Sequence, residues 1–73
     1  MDRREQIAEN IKRQIRIAGT TQAQIAREMR LAETTVCSYT NGRTIPSVLA
    51  LIDLCRILDC KYDDILGPIE ENA

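Results

Sequence analysis

A stretch near the middle of the chain, "AETTVCSYTNGR", is rich in small hydroxyl side chains. It runs from Ala32 to Arg43, and its Asn-Gly pair is typical of a turn that ends a helix. Thr, Val, Cys and Tyr are middling to poor helix formers, so packing alone does not account for their use here. No residue between Glu33 and Asn41 is charged. Hydroxyl groups both donate and accept hydrogen bonds, so this segment is suited to the recognition of another molecule.

The rest of the sequence offers little for catalysis or metal binding. There is no histidine, so a Cys or Ser nucleophile would lack its usual base. The three cysteines, Cys37, Cys55 and Cys60, form no CxxC pair, which argues against a zinc site. We expect Cys55 and Cys60 to act as small core hydrophobes, and Asp63-Asp64 to be a solvated helix start. The prediction is a non-enzymatic protein with no cofactor, no metal and no evident small-molecule ligand.

Length and hydropathy predict a single soluble domain spanning residues 1–73. A chain of 73 residues supports one small core, and its longest apolar run, "VLALI", is too short to cross a membrane. The N-terminus is polar and lacks the apolar segment of a signal peptide. We therefore expect a cytoplasmic protein with no membrane partner.

Charge is unevenly divided along the chain, although the net charge is only −1. Residues 1–44 carry eight basic and five acidic side chains, a balance of +3. Residues 45–73 carry two basic and six acidic side chains, a balance of −4. Such asymmetry is a hint of nucleic-acid contact, with the basic half holding the hydroxyl-rich segment. Ordinary scatter of surface charge explains the same numbers equally well.

Apolar spacing predicts five short helices in an all-α fold, since nothing alternates with a period of two. The first spans about residues 3–18 and ends at Gly19; the second, about residues 22–29, is capped by Thr21. The third spans residues 33–40. A fourth helix follows Pro46-Ser47, and a fifth spans about residues 62–66, before a frayed tail at residues 69–73. The expected core faces are Ile7, Ala8, Ile11, Ile15 and Ala18; Ile25, Ala26 and Met29; Val36 with Tyr39 or Thr40; and Val48, Leu51, Ile52, Cys55 and Leu58.

Two short helices joined by a tight turn, residues 22–40, describe a helix-turn-helix, whose second helix enters the major groove of DNA. Thr21 to Leu66 resembles the phage-repressor-like (Cro/cI-type, xenobiotic-response-element) helix-turn-helix family, and Ile7 to Lys12 resembles its first helix. The family pattern has TQ, LA, a hydrophobic turn, T-h-S, NG and P-S at fixed spacing. Matching positions are Thr21, Gln22, Ile25, Ala26, Met29, Leu31, Thr35, Val36, Asn41, Gly42, Pro46, Ser47, Leu51, Leu58, Asp63, Ile65 and Leu66.

Four departures from the family pattern bear on local stability. Arg30 stands where the turn commonly has a glycine with positive φ. A residue other than glycine in that conformation is strained by ~1–2 kcal/mol. Ala32 replaces the usual Ser cap of the third helix, which costs ~1 kcal/mol of capping. Lys61 stands where the fifth helix often has a Ser cap, and Gln14 takes a position that is often Leu. These departures affect local stability more than fold identity.

The resemblance implies a lambda-repressor-like domain that acts as a sequence-specific transcriptional regulator on double-stranded DNA. We expect a repressor that binds a palindromic operator as a homodimer, because one module contacts only a few base pairs. The expected base-reading residues are Glu33, Thr34, Cys37 and Ser38. The expected phosphate-binding residues are Gln22, Thr35, Asn41 and Arg43. The apolar residues left over from the core predict a dimer patch formed by Leu49, Ile57 and Ile69.

Three alternatives stay open at this point. Thr35 is able to bond the backbone as well as a phosphate, and Cys37 fits a partly exposed helix position without a DNA contact. Glu33 is also explained by the helix dipole, which favours an acid in the first turn. At the level of the whole chain, the net charge of −1 and the lack of charge between Glu33 and Asn41 favour a protein-interaction module, antitoxin-like or an anti-repressor, that keeps the fold and has little DNA binding.

Overall fold

The computed structural model describes residues 2–67, which form five α-helices and no strand. Their bounds are α1 Arg3–Ala18, α2 Gln22–Met29, α3 Glu33–Thr40, α4 Val48–Leu58 and α5 Tyr62–Leu66. The all-α prediction is confirmed, and so are the bounds predicted for α1, α2, α3 and α5. The predicted frayed tail, residues 69–73, lies outside the described residues.

Local side-chain and backbone signals set these bounds. The hydroxyl of Thr21 accepts a hydrogen bond from the backbone N–H of Gln24 at 3.1 Å, and that of Ser47 accepts from Ala50 at 3.2 Å. Each bond satisfies a backbone donor that the first helical turn leaves free. Gly19 ends α1 in the left-handed conformation, at φ 70°. These are the positions at which the sequence predicts a start or a stop.

Each helix sends at least one completely buried side chain into a common core. These side chains, one per helix, are Ile11, Ile25, Val36, Leu54 and Ile65. The helix α1 packs against α3, α4 and α5, while α2 packs against α3 and α4. The helices α1 and α4 therefore hold the pair α2 and α3 in place, and one side of α3 remains uncovered.

Two of the predicted core positions are wrong. Val48 lies at the first turn of α4 with 74% of its surface exposed, and Ala18, the last residue of α1, is also exposed. Leu54, which the predicted face omitted, is completely buried, and Ala50 is buried as well. The first turn of α4 extends beyond the core, and packing on α1, α2 and α5 rotates the buried face toward Ala50 and Leu54.

Asn10 is a buried polar residue that the sequence pattern does not reveal. It is 4% exposed, and its Nδ2 donates to the carbonyl oxygen of Ile65 at 2.9 Å. Its Oδ1 accepts from Nε2 of Gln6 at 3.1 Å. Because burying a polar group is unfavourable unless it is hydrogen-bonded, Asn10 fixes α5 against α1 in one position.

Candidate nucleic-acid interface

The turn between α2 and α3 closes tightly on a left-handed residue. Arg30 has φ 57° and ψ 41°, which confirms the predicted positive φ. Its N–H donates to the carbonyl of Arg27 at 3.2 Å, and the N–H of Leu31 donates to that of Ala26 at 2.9 Å. These bonds satisfy carbonyls at the end of α2. With only Arg30, Leu31 and Ala32 between the helices, the turn fixes the angle at which α3 leaves α2.

The helix α3 has a buried side and an exposed side. Val36 and Thr40 are buried, and Tyr39 packs against the core. The expected base-reading residues lie on the other side: Glu33, Thr34 and Cys37 are exposed and Ser38 is half-buried. Ala32 provides no side-chain cap, as predicted, so α3 depends on its packing for stability.

One hydroxyl on the exposed side is already used inside the helix. Oγ of Ser38 donates to the carbonyl oxygen of Thr34 at 3.0 Å. The hydroxyl proton is thereby engaged, while its lone pairs remain available as acceptors. In this rotamer Ser38 is suited to a donor such as the exocyclic amine of adenine or cytosine. The buried hydroxyl of Thr40 donates to the carbonyl of Cys37 at 3.0 Å and is not available for recognition.

Asn41 shapes the loop that follows α3. Its Oδ1 accepts from the backbone N–H of Arg43 at 3.0 Å, and the same N–H approaches the carbonyl of Ser38 at 3.1 Å. Its Nδ2 lies 3.9 Å from Sγ of Cys37. Gly42, between Asn41 and Arg43, has φ 82°, a conformation that favours glycine. The loop is therefore preformed, and it leaves the side chain of Arg43 exposed.

The other two expected phosphate-binding residues lie in the first turns of their helices. Gln22 is the first residue of α2 and is half-buried, and Thr35 lies in the first turn of α3 and is also half-buried. Backbone N–H groups at a helix start point toward an approaching anion. The hydroxyl of Thr21 caps the start of α2, where Gln22 lies.

The positive charge near these elements is largely unneutralised. Within residues 2–67 a single ion pair occurs, between Lys12 and Glu9 at 3.3 Å. Arg27 donates to the amide oxygen of Gln24 at 3.1 Å, a neutral partner. The exposed arginines of residues 3–43 therefore keep their charge for an external anion.

Two of the cysteines, Cys55 and Cys60, interact with each other and are at least partly buried. Burial raises the pKa of Cys60 to about 12, and the neighbouring thiol of Cys55 adds to the shift. Burial also raises the pKa of Cys55. Thiols with raised pKa values are poor nucleophiles, which fits the expected role as small core hydrophobes. No group of three His, Cys, Asp or Glu side chains capable of holding a metal occurs in residues 2–67.

The predicted dimer patch is only partly exposed. Leu49 has 76% of its surface exposed, whereas Ile57 is half-buried and packs against the core. Ile69 lies outside the described residues. Ile45 and Val48, which the predicted patch did not include, are 50% and 74% exposed; Val48 directly precedes Leu49, and Ile45 lies in the loop before α4. The sequence pattern does not predict their exposure, because apolar residues near a helix start are usually assigned to the core.

A family comparison identifies this arrangement. Residues 11–65, most of the chain, match the helix-turn-helix family of Cro/cI type, and the chain belongs to that family. This family consists of DNA-binding transcription regulators and is generally non-enzymatic. No curated protein and no solved structure matches the chain. No helix within residues 2–67 is long and apolar enough to span a membrane.

Proposed function

We propose that this protein is a sequence-specific repressor that binds a palindromic operator as a homodimer. The observation that carries the proposal is the two-sided character of α3. Its inner side is fixed by Val36 and Thr40, and its outer side presents Glu33, Thr34 and Cys37 to solvent. Small polar side chains on a short, rigidly held helix suit close contact with base edges in the major groove.

Each exposed side chain of α3 has a defined chemistry for bases. The carboxylate of Glu33 accepts from cytosine N4, and the hydroxyl of Thr34 donates or accepts. Ser38, whose proton is engaged by Thr34, reads a base donor. Cys37 is exposed and contributes a small, weakly polar contact.

Phosphate contacts hold the protein on DNA and set the register of α3. Arg43 supplies the charge, and Asn41 contributes chiefly by shaping the loop that presents it. Gln22 and Thr35 meet the backbone from the starts of α2 and α3. None of these contacts depends on the identity of the bases, so together they supply the nonspecific part of the affinity.

A homodimer supplies the second half-site. The exposed apolar residues Ile45, Val48 and Leu49, called here the α4 patch, support association with a second copy. A two-fold dimer places its two α3 helices about one turn of DNA apart, which matches a palindrome. Steric exclusion of polymerase from such an operator gives repression.

The test separates the two kinds of contact. Operator fragments are first selected from genomic DNA, and affinities are then measured for single-base variants at several salt concentrations. Thr34→Ala is expected to lower discrimination at particular base pairs by ~1–3 kcal/mol while nonspecific binding barely changes. Arg43→Ala is expected to weaken binding to all sequences alike and to lower the salt slope by about one per subunit. If Arg43→Ala changed the base preference and Thr34→Ala did not, α3 would not be the reading helix.

A protein-interaction module with the same fold is the competing function, favoured by the net charge of −1. The two differ in their behaviour toward random genomic DNA at low salt. A repressor retards such DNA in an electrophoretic shift, because phosphate contacts alone give measurable binding. Failure to shift any DNA, with the fold intact by circular dichroism, would favour the interaction module.

A further inference from the structure

The loop that carries Arg43 lies directly against the first turn of α1. A methyl group placed on Gly42 would lie 3.9 Å from the carbonyl oxygen of Arg4 and 3.8 Å from Cβ of Ala8. Ala8 follows Arg4 by one helical turn, so the two residues share the stripe of α1 that faces the loop. The start of α1 and the end of α3 therefore form one continuous surface, although they are far apart in sequence.

Arg4, whose backbone carbonyl borders this surface, is exposed and has no ion-pair partner among residues 2–67. Two carboxylates are close in sequence. That of Asp2 accepts from the backbone N–H of Arg4 at 3.1 Å and caps the helix, and that of Glu5 lies about 100° further around it. Neither neutralises the guanidinium through a direct contact.

We propose that Arg4 is a further phosphate-binding residue, contacting the DNA backbone beside Arg43. The inference rests on the proposed function, because it requires α3 to enter the groove. If it does, the loop at Gly42 is carried to the phosphates, and the start of α1 is carried with it. A guanidinium is well suited to such a contact because its planar fork binds two phosphate oxygens. Arg4 and Arg43 then form a clamp built from two distant parts of the chain.

If Arg4 contacts a phosphate, its removal should reduce the salt dependence of DNA binding, whereas removal of an arginine elsewhere on α1 should not. Arg13 provides the matched control, since it is an exposed arginine on the same helix, about 13 Å further along the axis. Arg4→Ala is expected to lower the slope of log affinity against log salt by about 0.9 per subunit and to weaken binding on the order of tenfold at 50 mM salt. Arg13→Ala, with the same charge change, is expected to leave the slope unchanged.

The measurement is a fluorescence-anisotropy titration of a short labelled duplex of mixed random sequence, at several salt concentrations between roughly 50 and 200 mM. Arg4→Lys keeps the charge and is expected to restore the slope, and circular dichroism confirms that the variants fold like the parent. Equal slopes for the parent and Arg4→Ala overturn the clamp and leave the proposed function standing. An equal loss in Arg4→Ala and Arg13→Ala also overturns it, in favour of a general charge effect. A parent that binds no DNA overturns both proposals.

Discussion

At the scale of single residues, Arg30 occupies a backbone conformation in which an L side chain is strained. Its φ of 57° brings Cβ close to the following carbonyl, at a cost of roughly 1–2 kcal/mol. Glycine adopts the same conformation without that strain but loses more entropy on folding. We expect Arg30→Gly to stabilise the domain by about 1 kcal/mol, an increase in Tm of ~4–8 °C for a domain of this size. Urea and thermal unfolding measure both quantities.

Asp59 provides the control for Arg30. It ends α4 in a similar conformation, with φ 52°, but Asp tolerates the left-handed region better than most residues. Asp59→Gly is therefore expected to stabilise the domain less than Arg30→Gly. Destabilisation by Arg30→Gly would mean that the guanidinium makes a stabilising interaction whose loss outweighs the strain relieved.

Single residues also show how much of the candidate site could be predicted from the sequence. The positive φ at Arg30 and the missing cap at Ala32 were predicted from the resemblance to the family, which commonly has a glycine and a serine at these positions. The bond from Ser38 to the carbonyl of Thr34 and the loop-shaping role of Asn41 were not. Both depend on which of several rotamers the folded chain selects, and a sequence pattern carries no information on that choice.

At the scale of helices, one buried amide adds a hydrogen bond to the apolar contact between α1 and α5. Asn10→Leu removes the donor to the carbonyl of Ile65 and the acceptor for Gln6. A buried carbonyl left unpaired costs about 1–3 kcal/mol, so the free energy of unfolding should fall by that amount. Gln14→Leu is the control, since it makes the same kind of change at a half-buried position of α1. Denaturant unfolding measures both; equal effects of the two substitutions would show that the hydrogen bond to Ile65 contributes nothing specific.

Helix positions were more predictable than helix orientations. Thr21, Ser47 and Gly19 mark starts and stops through local chemistry, and the bounds follow from them. The helix α4, "VLALIDLCRIL", is apolar almost all round, so its spacing alone does not determine which side is buried. Its neighbours decide that, and they bury Leu54 and expose Val48. Asn10 was missed for a related reason: its partner, Ile65, is 55 residues away in the chain.

At the scale of the whole molecule, the basic excess and the exposed apolar residues of the α4 patch lie in different parts of the chain. The basic excess lies in residues 1–44, which contain the α3 surface, the loop after it and the start of α1. The α4 patch follows directly along the chain and is apolar instead. A DNA-binding surface requires charge and a self-association surface requires apolar area, so this division along the chain suits the dimeric regulator proposed above.

This separation predicts that self-association can be removed without unfolding the subunit. Leu49→Asp places a charge in the α4 patch, where 76% of the leucine surface is exposed, so the monomer fold should be retained. Ile17→Asp is the matched control, because Ile17 is 70% exposed on α1 and lies outside the patch. Sedimentation equilibrium should give the Leu49→Asp variant the mass of one chain, 8.3 kDa, and both the parent and the Ile17→Asp variant twice that mass.

DNA binding should follow the oligomeric state, because a dimer joins two weak half-site contacts into one event. Loss of the second half-site is expected to weaken operator binding on the order of 10²-fold or more, with little change in binding to a single half-site. Anisotropy titrations on full and half operators measure the two affinities. If Leu49→Asp were monomeric and still bound the full operator as tightly as the parent, each subunit would recognise its operator alone. If it remained dimeric, the dimer would form through a surface other than the α4 patch.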